Sequence, residues 1–336
     1  MTTEAISWGN VAGALIYKKQ LSQYLDSLEN EDRDKLFAEI KKSDGVNEDP
    51  YLNSILDNIM TKLTNTIAQT EPSINDKPYN YFINPKTNFN AYCTLGHNVS
   101  VNTGVFTFFN NDEEKIAVVV AHELVHGQKQ HPLKGAKKTT NVDLIYSVLS
   151  PELGGITRIA TAIVALNLKN VGITKPNEWE ADNVAFSYII DSGYNPGAPA
   201  AVWQRVMDNS NSSDSSNFFS DILNPSTHPD QKDRRDNYSK KLTKYSNNKV
   251  SIDDSTGEIK VKEKVFMKPV AAANMSGMER SYLIAGNLAT IYHHNKSHDK
   301  AYVSNGSIYI GDNYVVHPSG DDGDINELVK ILNEIK

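Results

Sequence analysis

The stretch Val118-Val119-Val120-Ala121-His122-Glu123-Leu124-Val125-His126-Gly127 decides how this chain is read. It sets a His-Glu-x-x-His pattern into an apolar run that follows the acidic cluster Asp112-Glu113-Glu114. On an α-helix, residues four apart lie on one face about one turn apart, so His122 and His126 can reach one metal ion while Glu123 sits beside them. Catalytic zinc takes three protein ligands and keeps a position for water. A carboxylate next to that water can take its proton during attack on a polarised carbonyl. The alternative for this stretch is a helix carrying two surface histidines.

The 336 residues, 39% hydrophobic and 22% charged, fit one large or two medium globular domains with a real core. A net charge of -7 without a sustained basic stripe disfavours nucleic acid, whose binding rests on phosphate neutralisation. Cys93 is the only cysteine, which excludes an intrachain disulfide and a Cys-rich structural zinc site, and it reads as a small buried apolar residue. No long charge-free apolar stretch occurs, so no transmembrane segment is expected; peripheral membrane contact is left open by the interrupted apolar run 144–168. Residues 1–20 carry no basic n-region or cleavage site. The expected compartment is therefore the cytoplasm if the chain is taken literally, or the periplasm or exterior if a signal peptide is missing from this sequence.

Apolar spacing over 6–25, 32–40 and 51–70 predicts a helical N-terminal region, 1–75, with Pro50 just ahead of the third helix. Residues 79–83, 90–95 and 98–102 read as three short strands of a small meander closed by Gly104, and an edge of that sheet is suited to an extended peptide. The helix carrying His122 and His126 is expected to begin near Asp112 and to run through His131 until Pro132 ends it. On that helix His131 lies about 500° around from His126 and faces elsewhere, so it reads as a surface histidine or as one that supports a ligand from behind. The run 144–168 reads as core or as a gate over a cleft.

Pro176 and Asn177 open the next helix, in which Glu178 and Asp182 share a face while Glu180 points about 200° away. If Glu178 is a third zinc ligand, Asp182 is placed to hydrogen-bond a ligand histidine. The other reading is a set of solvated acids at a helix N-terminus. Residues 209–217 read as a polar loop. His228, between Pro225 and Pro229, is either a surface turn residue or a side chain that faces the site to stabilise an oxyanion or touch the metal. Beyond 249, a hairpin from 250–252 and 259–267, a helix over 277–293, short strands at 302–303, 307–310 and 314–316, and a closing helix over 324–335 read as a separate module. His293, His294 and His298 read as a solvated helix end.

Three signals thus occur in order: His-Glu-Leu-Val-His at 122–126, Glu-x-x-Ala-Asp at 178–182, and His-Pro-x-x-x-x-Arg at 228–234. This combination resembles the gluzincin peptidases of metallopeptidase family forty-eight, which includes HtpX, BepA and the CAAX prenyl proteases. Asn90-Ala91-Tyr92 and Val101-Asn102-Thr103-Gly104-Val105 are similar to the strand region preceding that family's zinc helix. The resemblance covers about residues 50 to 240. It implies one zinc ion (Zn2+) per chain held by His122, His126 and Glu178, with Glu123 as general base and Asp182 as a supporting partner. His228 and Arg234 match the late motif, whose histidine faces the zinc in some members and can restrain activity. Without transmembrane helices, the soluble BepA-like type is the closer one, although no tetratricopeptide repeats are visible after residue 250.

The resulting expectation is an α+β fold: a mainly helical zincin-type metallopeptidase domain over 76–245 with a small β-sheet, preceded by the helices of 1–75 and followed by an accessory α/β module over 250–336. The expected activity is that of a zinc endopeptidase acting on protein or peptide substrates. The alternatives are a latent peptidase serving as a protein-binding or chaperone-like module, and a zinc hydrolase of non-peptide substrates.

Overall fold

The computed structural model describes residues 8–138, 173–210, 215–220, 222 and 228–336. The apolar run 144–168, expected to form core or gate, lies outside these residues, as does part of the polar loop 209–217. The described residues form an α+β fold, mainly helical, with three three-stranded sheets. No described helix is long and apolar enough to cross a membrane. The chain divides into two compact units, one of residues up to Asn111 with His122–Ala181, the other of Asp112–Ala121 with Asp182–Lys336.

In the first unit, the rhythm of residues 51–70 becomes a helix over Pro50–Thr70. Pro50 occupies its first turn, where a missing N–H costs nothing, and the Asp49 carboxylate accepts from the amides of Tyr51 (2.8 Å) and Leu52 (3.2 Å). Ile55, Leu56, Ile59, Met60, Leu63 and Ile67 form its buried stripe. The helices Trp8–Glu29 and Arg33–Asp44 bury Leu21, Leu25, Leu28, Leu36 and Ile40 against Phe82, Tyr92 and Leu95.

Phe82 belongs to β1 (Asn80–Asn84) and Tyr92 to β2 (Ala91–Thr94); β3 (Asn98–Asn102) completes the sheet. The order is β1-β3-β2, with β3 parallel to β1 and antiparallel to β2, so the expected meander is corrected. The chain leaves β1, crosses to the far edge for β2, and returns through the middle. Side chains pin that middle strand: Asn84 Nδ2 donates to Oδ1 of Asn102 (2.7 Å) and Oγ of Ser100 (2.8 Å). Gly104 follows where a Cβ would stand 2.3 Å from the carbonyl oxygens of Thr87 and Asn88, so only glycine lets the backbones approach. Among the described residues, both β1 and β2 remain edges.

The second unit is built on three helices, Ala198–Asn209, Gln231–Tyr245 and Gly277–His293, which pack on one another. Two antiparallel meanders accompany them: β4 (Val250–Ile252), β5 (Ile259–Val261) and β6 (Lys264–Met267), then β7 (Ala301–Ser304), β8 (Ser307–Ile310) and β9 (Asn313–Val316). The run 259–267, expected as one strand, is a hairpin turning at Lys262 and Glu263, both at positive φ (49° and 68°). Ile325–Ile335 closes the chain, capped by Asp324, whose carboxylate accepts from Asn326 and Glu327 amides.

Candidate active site

The helix carrying His122 and His126 spans Glu113–Gln128. Asp112 Oδ1 accepts from the Glu114 and Lys115 amides at 3.1 and 3.3 Å, so acids gather where the helix dipole favours them. Ile116, Val120 and Leu124, fully buried and four residues apart, form one of its apolar rows. Against the first unit's sheet, the Tyr79 hydroxyl donates to the carbonyl oxygen of Leu124. Gly127 makes that approach feasible, because a Cβ there would lie 2.7 Å from the Tyr79 hydroxyl and 3.0 Å from Cys93 Sγ. Cys93 is buried, as expected, and burial pushes its thiol well above the ordinary range.

The helix does not continue to His131. It ends at Gln128, Gln130 turns the chain at φ 53°, and His131-Pro132 open a second helix, His131–Lys138. Proline is tolerated in the first turn of a helix, so Pro132 starts an element rather than stopping one. The correction changes what His131 does. Its ring is buried, with Nδ1 3.0 Å from Nδ1 of His126 and Nε2 3.2 Å from Oε2 of Glu180. Burial, with His126 second, brings the His131 pKa down to about 4.

Glu178 enters from the helix Lys175–Asp191 and is almost fully buried. His126 Nε2 lies 3.0 Å from His122 Nε2 and 3.4 Å from Glu178 Oε1, and His122 Nε2 lies 3.5 Å from Glu178 Oε2. Zinc bonded tetrahedrally at about 2.0 Å separates its donors by about 3.3 Å. The three donors stand at that spacing, all within 4.8 Å of one another, and among the described residues no other group of three could hold a metal ion. Two imidazoles and one carboxylate are also the donor set that suits zinc rather than an all-oxygen cation.

Glu123 points back toward β2, where its Oε2 accepts the main-chain N–H of Cys93 at 3.0 Å. Desolvation pushes its pKa up, while His126 and His122 pull it the other way. An edge strand thus presents a backbone donor next to the carboxylate.

Asp182 is fully buried one turn beyond Glu178 on the same helix. Its carboxylate accepts from Arg234 Nε (2.7 Å) and Nη2 and from the Tyr238 hydroxyl (3.0 Å). The Arg234 guanidinium lies over the Trp203 ring, 3.7 Å from its centroid. His228 is half-buried in the bend that leads through Pro229 and Asp230 into the helix Gln231–Tyr245. His293 stacks on Tyr245 (centroids 4.0 Å apart) and takes the Tyr245 carbonyl, so it serves packing at a helix end.

From sequence, His131 stands open between a surface and a supporting role, whereas Glu180 and the Cys93 amide carry no signal. The Gln-His-Pro order at 130–132 is the signal that was available for the first, since it fits a helix start as well as a stop.

The chain is 24% identical over 169 residues (46% of this chain, 34% of the relative) to the beta-barrel assembly-enhancing protease of Yersinia pestis. It is 23% identical over 170 residues (48% and 34%) to that of Escherichia coli K12, and 24% identical over 181 residues (50% and 36%) to a Vibrio cholerae relative of theirs. The chain spans about a third of the length of the curated relatives it matches. Residues 55–241, more than half of the sequence and all three motifs, match the Peptidase family M48 profile. The chain belongs to peptidase family M48, a family of metallopeptidases.

Proposed function

We propose that this chain is a zinc-dependent endopeptidase in which His122, His126 and Glu178 hold the metal and Glu123 moves the proton. The observation that carries the reading is the convergence of three donors 3.0–3.5 Å apart with Glu123 one residue from the first of them. When bound, zinc would supply Lewis acidity toward the scissile carbonyl and toward water. Glu123 accepts a proton from the water whose oxygen attacks the carbonyl carbon. It then delivers that proton to the leaving nitrogen as the C–N bond breaks, so no proton is left over. A carboxylate raised by desolvation suits both halves of this cycle, since it must take a proton and give it back.

The substrate fits as an extended peptide. The edge strand β2 offers main-chain groups beside Glu123, and peptides add to such edges by backbone hydrogen bonds. Asp182, gripped by Arg234 and Tyr238, anchors the helix from which Glu178 projects. His228 of the late motif enters this reading as a side chain that assists or restrains turnover, which His228→Ala tests directly.

The experiment is cleavage of unfolded casein by zinc-loaded protein, with and without a chelator, beside Glu123→Gln. The reading expects chelator-sensitive internal cleavage that the variant lacks. Cleavage that survives both the chelator and the substitution contradicts it.

A further inference from the structure

His126 faces two ways. Its Nε2 looks at His122 and Glu178, and its Nδ1 looks at Nδ1 of His131 at 3.0 Å, the two rings meeting edge to face at 74°. Two identical ring nitrogens at that distance share one proton: one donates and the other accepts. The far side of His131 decides which. Its Nε2 is 3.2 Å from Oε2 of Glu180, and a carboxylate can only accept, so the His131 proton sits on Nε2. The Nδ1 of a neutral His131 is then a lone pair. His126 must donate from its own Nδ1, which leaves its Nε2 lone pair directed at the other donors.

We infer that His131 is a positioning residue for the metal site proposed above, holding His126 in the Nδ1–H tautomer that a metal needs, with Glu180 holding His131 in turn. The inference rests on the zinc reading and adds to it an interposed histidine where metal-bound imidazoles more often meet a carboxylate or carbonyl directly. The local chain is built for this. The helix stops at Gln128, and the left-handed Gln130 swings His131 back under His126, where it is almost fully buried. Water is therefore poorly placed to substitute for the ring. Glu180 is half-exposed, so its share is smaller.

The test is zinc affinity of the full chain, measured by competition with a fluorescent chelator, for wild type, His131→Leu, His131→Gln and Glu180→Gln. Loss of such a partner weakens metal binding by about 10- to 100-fold, and this is expected for His131→Leu. Glutamine can accept from His126 and donate to Glu180, so His131→Gln should regain most of the affinity. Glu180→Gln should lose a smaller factor in the same direction. Nitrogen-15 spectra of the zinc-loaded protein should show the Nδ1–H signal of His126 in wild type and His131→Gln, and its loss or shift in His131→Leu. If His131→Leu does not fold, Glu180→Gln decides. Equal zinc affinity in wild type and every folded variant overturns the positioning role alone, whereas a wild type that takes up no zinc overturns the metal reading itself.

Discussion

The main-chain N–H of Cys93 donates a 3.0 Å hydrogen bond to Oε2 of Glu123, tying the carboxylate that follows His122 to the free edge of β2. The bond orients the carboxylate without a second side chain. An amide keeps the acceptor oxygen but cannot shuttle a proton, so Glu123→Gln should keep zinc and fold while turnover drops by about 10²–10⁴-fold, the range for general acid–base catalysis. Parallel measurement of kcat and bound zinc checks this; a variant that cleaves at wild-type rate removes Glu123 from the mechanism.

Gly127 tests how the helix bearing the two histidines seats against Tyr79 and Cys93. In a helix interior, alanine gains up to about 1 kcal/mol over glycine. Here the added methyl would meet the Tyr79 hydroxyl at 2.7 Å and its ring at 2.8 Å, and overpacking costs about 1–3 kcal/mol. The clash wins. Gly127→Ala should lower the urea midpoint and weaken zinc binding; a more stable variant would mean that the contact is slack.

Asp182 and Arg234 are both buried, and breaking a buried pair strands the surviving charge, at about 3–5 kcal/mol. Asp182→Asn should fall in that range by denaturant unfolding. Arg234→Lys should also be destabilising, because lysine offers neither the paired donors for Asp182 nor a planar group to stack on Trp203. Tyr238→Phe removes one donor to the same carboxylate and should cost less, about 1.5–3 kcal/mol.

His97 makes stability depend on pH. It is buried, stacked on Tyr79 with centroids 4.5 Å apart, and its Nδ1 contacts the Lys77 carbonyl at 2.9 Å. Burial, with the Lys77 charge second, lowers its pKa from 6.5 to about 4. The unfolded chain therefore binds the extra proton between those values. The contribution is complete above about pH 6.5, is lost as pH falls toward 4, and does not change further below that; its full size is on the order of 3 kcal/mol. Urea midpoints of wild type and His97→Asn across this window check it, asparagine being tolerant of the φ of 57°. The variant should show a shallower loss toward acid pH.

Much of the site was legible because it depends on local geometry. The four-residue spacing of His122 and His126 needs only a helix, and the helix is there. Glu178 was legible as a candidate from its face on the next helix and from the family motif, although its convergence on the histidines is a long-range event that no spacing encodes. His131 was misplaced because a five-residue offset has meaning only while one helix continues, and a left-handed Gln130 breaks it. The strand order failed for a related reason: β3 inserts between β1 and β2 through side-chain amides of Asn84 and Asn102 rather than through a turn signal. The turn at Lys262-Glu263 carries no Gly, Asn or Asp to announce it.

His122, His126 and Glu178 are proposed to form one metal-holding set. The most direct test is the zinc content of the purified chain, by elemental analysis after loading and desalting, compared with Glu178→Ala. One zinc per wild-type chain is expected, with a variant that folds but loses the metal at the same chelator concentration. Wild-type zinc retention in Glu178→Ala, or no zinc in the wild type, would contradict it.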